Sequence, residues 1–351
     1  MKKVSFLLLS RYLLKSKVIN FLYTEVRLAH LLARLAVRES FTSTITFMSK
    51  HIVITGATGN IGTALTHELL GQGHHVTAVA RSSARLDALR AAGATTQAGD
   101  LHDAPFLTTV LRGADAAFLM IPPNVTAPDV LDHMRQVGEA IAQAVRDSGL
   151  EQAVHLSSIS ADEPSGTGPI VGLHHQEARL NSIQGLAVAH LRPAYFMENL
   201  LANVGLIQHM GIMGSGMRPD VAFPMVATKD IAAKAAELLS KGFEPGSVHY
   251  VLGPQNYSQQ DAARAIGAAI GRPELPYVQF PYADAKQGMM GAGLSESMAS
   301  LYDEMTRSIN EEKVQVHERR TAESSSPTTL EEFTQTVFAP VFRGTAAGQP
   351  A

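Results

Sequence analysis

The chain has no cysteine. That absence excludes disulfides, thiolate zinc sites, iron–sulfur clusters and cysteine nucleophiles together, and it leaves the compartment open. No stretch approaches about 20 uninterrupted apolar residues, so neither a transmembrane helix nor stable membrane insertion is expected. Positive charge is scarce in the body of the chain. Residues 1–50 hold nine Lys or Arg against two Glu, a formal +7, while the whole chain carries −3, which leaves −10 for residues 51–351. A body of that sign has no electrostatic footprint for nucleic acid. No Gly-x-Ser-x-Gly elbow occurs, no internal repeat is visible, and the pair His74-His75 has no acidic ligand set beside it, so no metal is expected. What remains is 351 residues at 45% apolar and 17% charged, an ordinary globular composition that allows one large or two moderate domains.

Residues 1–47 share neither the charge nor the pattern of the rest of the chain. Lys2 and Lys3 precede Val4–Leu9 in imitation of a signal peptide, but the apolar run is short and Arg11 interrupts it. A basic, leucine-rich, acid-poor segment suits a membrane-surface helix or a targeting peptide. It also suits a start read too early, with Met48 as the natural beginning, because Met48-Ser-Lys-His leads straight into the first strand; we expect the latter.

The informative stretch is residues 51–81. Ile52, Val53 and Ile54 form a short apolar β-branched run, as in a strand buried on both faces. Gly56, Gly59 and Gly62 come next, and Ala64, Leu65, Leu69 and Leu70 continue at helical spacing. Strand, glycine turn and helix together make a dinucleotide fingerprint. Gly56 permits the tight turn, Gly59 lets the backbone approach a pyrophosphate, and Gly62 lets the helix pack closely on the sheet. Free N–H groups from Thr58 to Ile61, with the helix dipole, favour the phosphates, and Thr58 and Asn60 add side-chain hydrogen bonds. The second strand runs from His75 to Ala80 and ends at Arg81, where NAD-specific proteins place a carboxylate. No Asp or Glu occurs from 76 to 86, and Ser82, Ser83 and Arg85 are close. A guanidinium suits the 2′-phosphate of NADPH and offers no acceptor to a bare 2′-OH.

Further strands and helices alternate. Arg85–Ala92 reads as a helix, and Thr95–Ala98 as an edge-like strand that delivers Asp100 and Leu101 to a strand's carboxyl end, where open α/β sheets bind ligands. A helix over Pro105–Leu111 precedes a buried strand, Ala114–Ile121, which Pro122-Pro123 breaks, placing Ile121 and Pro122 over the cofactor. Val130–Ser148 is a helix with an apolar stripe, and Ala153–Leu156 a fifth strand ending at Ser157, a further cofactor contact. Residues 163–172 read as a loop, with His174 and His175 opening the next helix. Leu186–Leu191 is a sixth strand, and residues 205–219, rich in glycine and methionine, read as mobile. Thr228 or Asp230 caps a helix over Ile231–Ser240, Val248–Leu252 is a strand, and a helix closes at Ile270. Residues 273–321 read as irregularly helical with methionines at 289, 290, 298 and 305, and a last helix runs to Phe342. The alternation implies right-handed crossovers and an α/β, Rossmann-like, doubly wound parallel sheet with a smaller, mostly helical C-terminal lobe. The boundaries expected are 1–47 for the extension, 48–253 for the dinucleotide domain (197–224 contributing to the substrate lobe), 254–342 for the lobe and 343–351 for a disordered tail.

Thr55-Gly-Ala-Thr-Gly-Asn-Ile-Gly62, Arg81, Gly99-Asp-Leu101, Phe118-Leu-Met-Ile-Pro-Pro123, Leu191-Arg-Pro-Ala-Tyr-Phe-Met-Glu-Asn199 and Asp230-Ile-Ala-Ala233, in that order, resemble the NmrA-like family of atypical short-chain dehydrogenases. The resemblance implies a cytoplasmic NADPH-dependent oxidoreductase transferring hydride to a quinone-like or other small carbonyl acceptor. The runner-up reading is a non-catalytic, dinucleotide-sensing regulator, and the resemblance leaves monomer or homodimer open. Reductase-like members often carry Lys or His at the start of the helix after the fifth strand's loop. Counting back from Arg192 places that position at His174, with His175 one step away, and a histidine can protonate a reduced oxygen. Tyr195, Phe196 and Asn199 would border the acceptor. The Tyr-x-x-x-Lys pair of typical short-chain dehydrogenases is absent from that helix; Tyr282 to Lys286 has the spacing but lies in the C-terminal lobe, and we read it as coincidence.

Overall fold

A computed structural model describes residues 49–314, 316 and 319–345. The basic extension, Met48 and residues 346–351 of the expected tail lie outside them. In chain order the first half runs β1 (His51–Thr55), α1 (Asn60–Gly71), β2 (His75–Ala80), α2 (Ser83–Ala91), β3 (Thr95–Ala98), α3 (Ala104–Leu111), β4 (Ala116–Leu119), α4 (Val130–Ser148), β5 (Gln152–Leu156), α5 (Ile170–Asn181) and β6 (Ala187–Pro193). Next come β7 (Tyr195–Phe196), a 3₁₀ turn over Met197–Asn203, α6 (Val204–Met210), β8 (Met213–Ser215), β9 (Phe223–Val226), α7 (Thr228–Lys241) and β10 (Val248–Val251). The chain ends with β11 (Asn256–Tyr257), α8 (Gln259–Ile270), β12 (Tyr277–Gln279), α9 (Tyr282–Gly291), α10 (Glu296–Asn310), α11 (Leu330–Phe333), a π turn over Thr334–Phe338 and α12 (Ala339–Phe342).

Seven strands pair in the order β10-β6-β5-β4-β1-β2-β3, every neighbour parallel. The chain winds from β1 to β3, returns to β1's other side at β4, and winds outward again. The reversal falls between β1 and β4, at the glycine turn, where an open α/β sheet forms its ligand crevice. Ile52, Val53 and Ile54 are wholly buried because helices cover both faces. One apolar cluster joins Ile52, Ile54, Leu65 and Leu69 to Ile231 and Leu239 of α7; another joins Val53, Leu107 and Val137 to Ile141 and Leu180.

Local signals set the helix ends. Asp129 accepts from the Asp132 N–H at the start of α4, and Gly149, at φ 73°, ends it. Ser258 and Asp261 form a reciprocal capping box on α8. A third core gathers Met197, Ile207, Met213, Phe223, Tyr257, Ile266, Leu330, Phe333 and Phe338 beyond the sheet.

Four expectations need correction. First, α5 begins at Ile170, not at His174. Gly166 and Gly168, at φ 80° and 62°, confine the turn to a few residues, and Pro169 launches a helix whose first side chain, Ile170, is buried. Second, residues 205–219 contain α6 and β8, and β8 pairs in parallel with β12. Met213 and Met217 are buried there, because methionine fills an irregular core. Third, neither Thr228 nor Asp230 caps α7. Glu198 accepts from the Thr228 N–H at 3.0 Å and its hydroxyl at 2.5 Å, while Asp230 accepts from the Thr328 hydroxyl at 2.7 Å. Fourth, residues 273–321 contain a strand as well as helices, and of their four methionines only Met298 is buried. At the other end, Arg343 donates to the Ala269 carbonyl and Thr345 to that of Pro340.

Candidate active site

Apart from His174, which lies on α5, the residues singled out by the sequence lie along the carboxyl edge of the sheet, at or beyond the ends of its strands. Gly56 to Gly62 follow β1, Arg81 follows β2, Asp100 and Leu101 follow β3, Ile121 and Pro122 follow β4, Ser157 follows β5, and Tyr195 to Asn199 follow β6.

The three glycines have different requirements. Gly56 takes φ +66°, and a Cβ there would also meet the Met120 sulfur at 2.7 Å. A Cβ on Gly62 would lie 2.3 Å from the Gly56 carbonyl oxygen, so the helix can approach the turn only without one. Gly59 has neither constraint. Its φ is −82°, and a Cβ would come no closer than 3.4 Å to any protein atom. The fold has no need of glycine at 59, and the space beside it belongs to an open cavity. Moreover, α1 has no side-chain cap and no acid in its first turn, so its leading N–H groups remain for an anion. The residues present therefore fit a dinucleotide pyrophosphate.

Arg81 is exposed and forms no ion pair among the described residues. Asp100 accepts from the His102 backbone N–H at 3.0 Å and from its Nδ1 at 2.8 Å, which holds the carboxyl below its usual range, with Arg81 adding a smaller push. The His102 ring lies 4.9 Å from that of His133, whose pKa burial lowers first and His102 second. Leu101 and Ile121 bury their side chains in the core, so main chain is what they can offer a ligand; Pro122 is half-buried.

Ser157 is buried, and its hydroxyl is committed to the Glu177 carboxylate at 2.5 Å. Glu177 also accepts from Arg192 Nε at 2.9 Å and Nη2 at 2.6 Å. Burial alone would raise the Glu177 pKa, but the hydrogen bonds from Arg192 and Ser157 reverse it to a net lowering. His174, on α5, is half-buried; its Nδ1 lies 2.9 Å from the Ala161 carbonyl oxygen, and its ring meets that of His175 edge-on at 5.3 Å. A carbonyl can only accept, so neutral His174 carries its proton on Nδ1 and presents Nε2 as an acceptor. Tyr195 packs edge-on against Phe223 at 5.4 Å and hydrogen-bonds Asn199; burial pushes its phenol upward. Phe196 is half-buried and Asn199 exposed. Tyr282 instead accepts from Asn310 and Lys286 sits 3.7 Å from Glu296.

A cavity of about 350 Å³ opens beside the glycine turn. Thr58, Gly59, Asn60 and Thr63 form one wall; Glu198, Thr228, Lys229 and Thr336 line the other. Sequence reasoning missed this second wall and the Glu177–Arg192 pair. Arg192 stood inside the Leu-Arg-Pro element; Glu177, one turn beyond His174, was the signal available. Among the described residues no helix is long and apolar enough to cross a membrane, and no cluster of three His, Asp or Glu could hold a metal.

The profile of the NmrA-like family matches residues 48–334. The chain is 31% identical over 260 residues to the NAD(P)H azoreductase of Xenophilus azovorans, covering 72% of this chain and 85% of that relative. Its fold is shared with the NADPH-dependent quinone oxidoreductase of Escherichia coli solved with NADPH, at TM-score 0.69 and 22% identity over 82% of this chain and 99% of the other. It is also shared with NmrA, a negative transcriptional regulator solved with NADP, at TM-score 0.65 and 18% identity over 85% of this chain and 98% of that one.

Proposed function

The chain belongs to the NmrA-like family, and from that premise we propose that it is a cytoplasmic NADPH-dependent reductase acting on a quinone-like or other small carbonyl acceptor. The main chain from Gly59 to Ile61 holds the pyrophosphate, with Thr58 and Asn60 adding side-chain bonds. Arg81 takes the 2′-phosphate, and Asp100, the Leu101 main chain, Ile121 and Pro122 border the adenosine. NADPH, when bound, supplies the hydride. Tyr195, Phe196 and Asn199 border the acceptor, an aromatic and amide surface suited to a flat conjugated ring. A quinone needs little activation, because its reduced anion is stabilised by conjugation. The protein's task is then positioning and water exclusion, with a proton from the charged form of His174.

The observation that carries this reading is Gly59, where the fold leaves open the space that a pyrophosphate needs. The test is NADPH consumption by the purified protein with a panel of quinones, to which the azoreductase relative adds azo compounds. Turnover with at least one acceptor class supports the proposal. Tight NADPH binding with no consumption across the panel would replace it with a dinucleotide-sensing protein.

A further inference from the structure

We propose that the buried Glu177–Arg192 pair is a positioning device for His174, acting through the segment 157–162, and that it fixes which ring nitrogen of His174 carries the proton. The proposal rests on the reading of His174 as proton donor. Its first support is geometric. The segment is tethered at both ends to one ion pair: Ser157 donates to Glu177 at 2.5 Å, and Asp162 accepts from Arg192 Nη1 at 3.1 Å. Between those tethers lies Ala161, whose carbonyl oxygen meets His174 Nδ1 at 2.9 Å. Glu177 and His174 share α5 one turn apart, so the pair reaches the histidine from both sides, through its helix and through its hydrogen-bond acceptor.

Strain is the second support. Ser160, beside Ala161, takes φ 59°, and it is one of only two non-glycine residues with positive φ among those described. Such a conformation persists only where its surroundings over-determine it. Here the backbone supplies part of the restraint, with Ser157 N–H on the Leu191 carbonyl at 2.8 Å and Ile159 N–H on that of Pro193 at 3.0 Å. The ion pair adds its two tethers to it. Third, the pair is built for geometry. Arg192 grips Glu177 in a fork through Nε and Nη2, and its Nη1 reaches the Tyr250 hydroxyl at 3.2 Å as well as Asp162. A planar five-donor guanidinium fixes three partners at once where an ammonium would not. The histidines facing the pair are His190, on β6 with Arg192 itself, and His155 on the neighbouring β5, whose rings meet at Nδ1 to Nδ1 3.2 Å.

The experiment uses the full chain in four forms: parent, Glu177→Gln, Asp162→Asn and His174→Gln. ¹⁵N spectra of the neutral His174 imidazole are read beside kcat, KM for NADPH and melting curves. The expected result is a pure Nδ1–H tautomer in the parent, and a mixture of tautomers in Glu177→Gln and Asp162→Asn. The kcat of both variants falls by about 10- to 100-fold, the scale of a misplaced catalytic group, with KM for NADPH nearly unchanged. Parent tautomer and parent kcat in both variants would overturn the proposal. Asp162 is partly exposed, so its variant carries the test if Glu177→Gln does not fold. Should His174→Gln itself keep the parent kcat, the proton-donor reading fails, and the tautomer spectra alone decide whether the ion pair sets the ring.

Discussion

A Cβ placed on Gly62 would sit 2.3 Å from the carbonyl oxygen of Gly56, closer than any real Cβ contact. Gly59, between them, would meet nothing nearer than 3.4 Å. Two substitutions in one motif should therefore have opposite consequences. Gly62→Ala forces helix α1 off the turn and lowers the melting temperature. Gly59→Val keeps the fold and loses NADPH affinity, because its side chain enters the space the pyrophosphate needs. Calorimetric titration with NADPH and a melting curve on each variant separate the two, and unchanged NADPH affinity in Gly59→Val would reduce the motif to a structural turn.

Cofactor choice turns on Arg81. Its guanidinium is exposed and without an ionic partner among the described residues, so a 2′-phosphate gains a charge-assisted bond that a 2′-OH does not. Screening at an exposed position trims the gain, which leaves a preference for NADPH of about tenfold or more at low salt. Arg81→Asp should weaken NADPH and narrow or reverse the preference, and added salt should erode it in the parent. Equal affinities for NADPH and NADH in the parent would contradict the assignment.

The hydrogen bond from His174 Nδ1 to Ala161 leaves Nε2 as the site for a transferable proton, present only when the ring is charged. His174→Ala should lower kcat by about 100-fold or more, leaving NADPH binding intact, with His175→Ala close to the parent. Parent rates in both variants would assign the proton to water.

His155 and His190 form a buried pair in the middle of the sheet, Nδ1 to Nδ1, with His190 Nε2 on Asn181 at 3.0 Å. Burial, then His190, holds the His155 pKa down to about 3 from an ordinary 6.5. The folded value lies below the unfolded one, so the unfolded chain takes up the proton first as pH falls. Stability is full above pH 6.5 and declines toward pH 3, at about 1.4 kcal/mol per pH unit for one such group. His155→Asn should give a shallower acid limb in denaturant titrations between those limits; an unchanged slope would mean that the pair does not govern acid lability.

What was legible in the sequence had a local cause. Ile52 to Ile54, the glycine turn and the alternating strands and helices after it fold as a doubly wound parallel sheet because burial on both faces, chain reversal and helix packing each leave a pattern within a few residues. What was hidden depends on contacts across the chain. The acceptor for Thr228 is Glu198, thirty positions earlier, and nothing near Thr228 announces it. The proton on His174 is set by Ala161 and, on our proposal, by Glu177 and Arg192, which meet only once α5 lies against β6. Met213 and Met217 looked like a loose segment because methionine packs wherever a gap exists and carries no periodicity of its own.

The central claim is hydride transfer from NADPH to a bound acceptor, and a single-turnover measurement tests it most directly. Protein loaded with an equimolar amount of NADPH, or of NADPH deuterated at the transferring position, is mixed with a quinone, and loss of the reduced nicotinamide absorbance is followed. The account predicts complete, protein-dependent loss, slower with deuterium, and slower again in His174→Ala. Retention of the absorbance with every acceptor tried, in a protein that binds NADPH tightly, would contradict it.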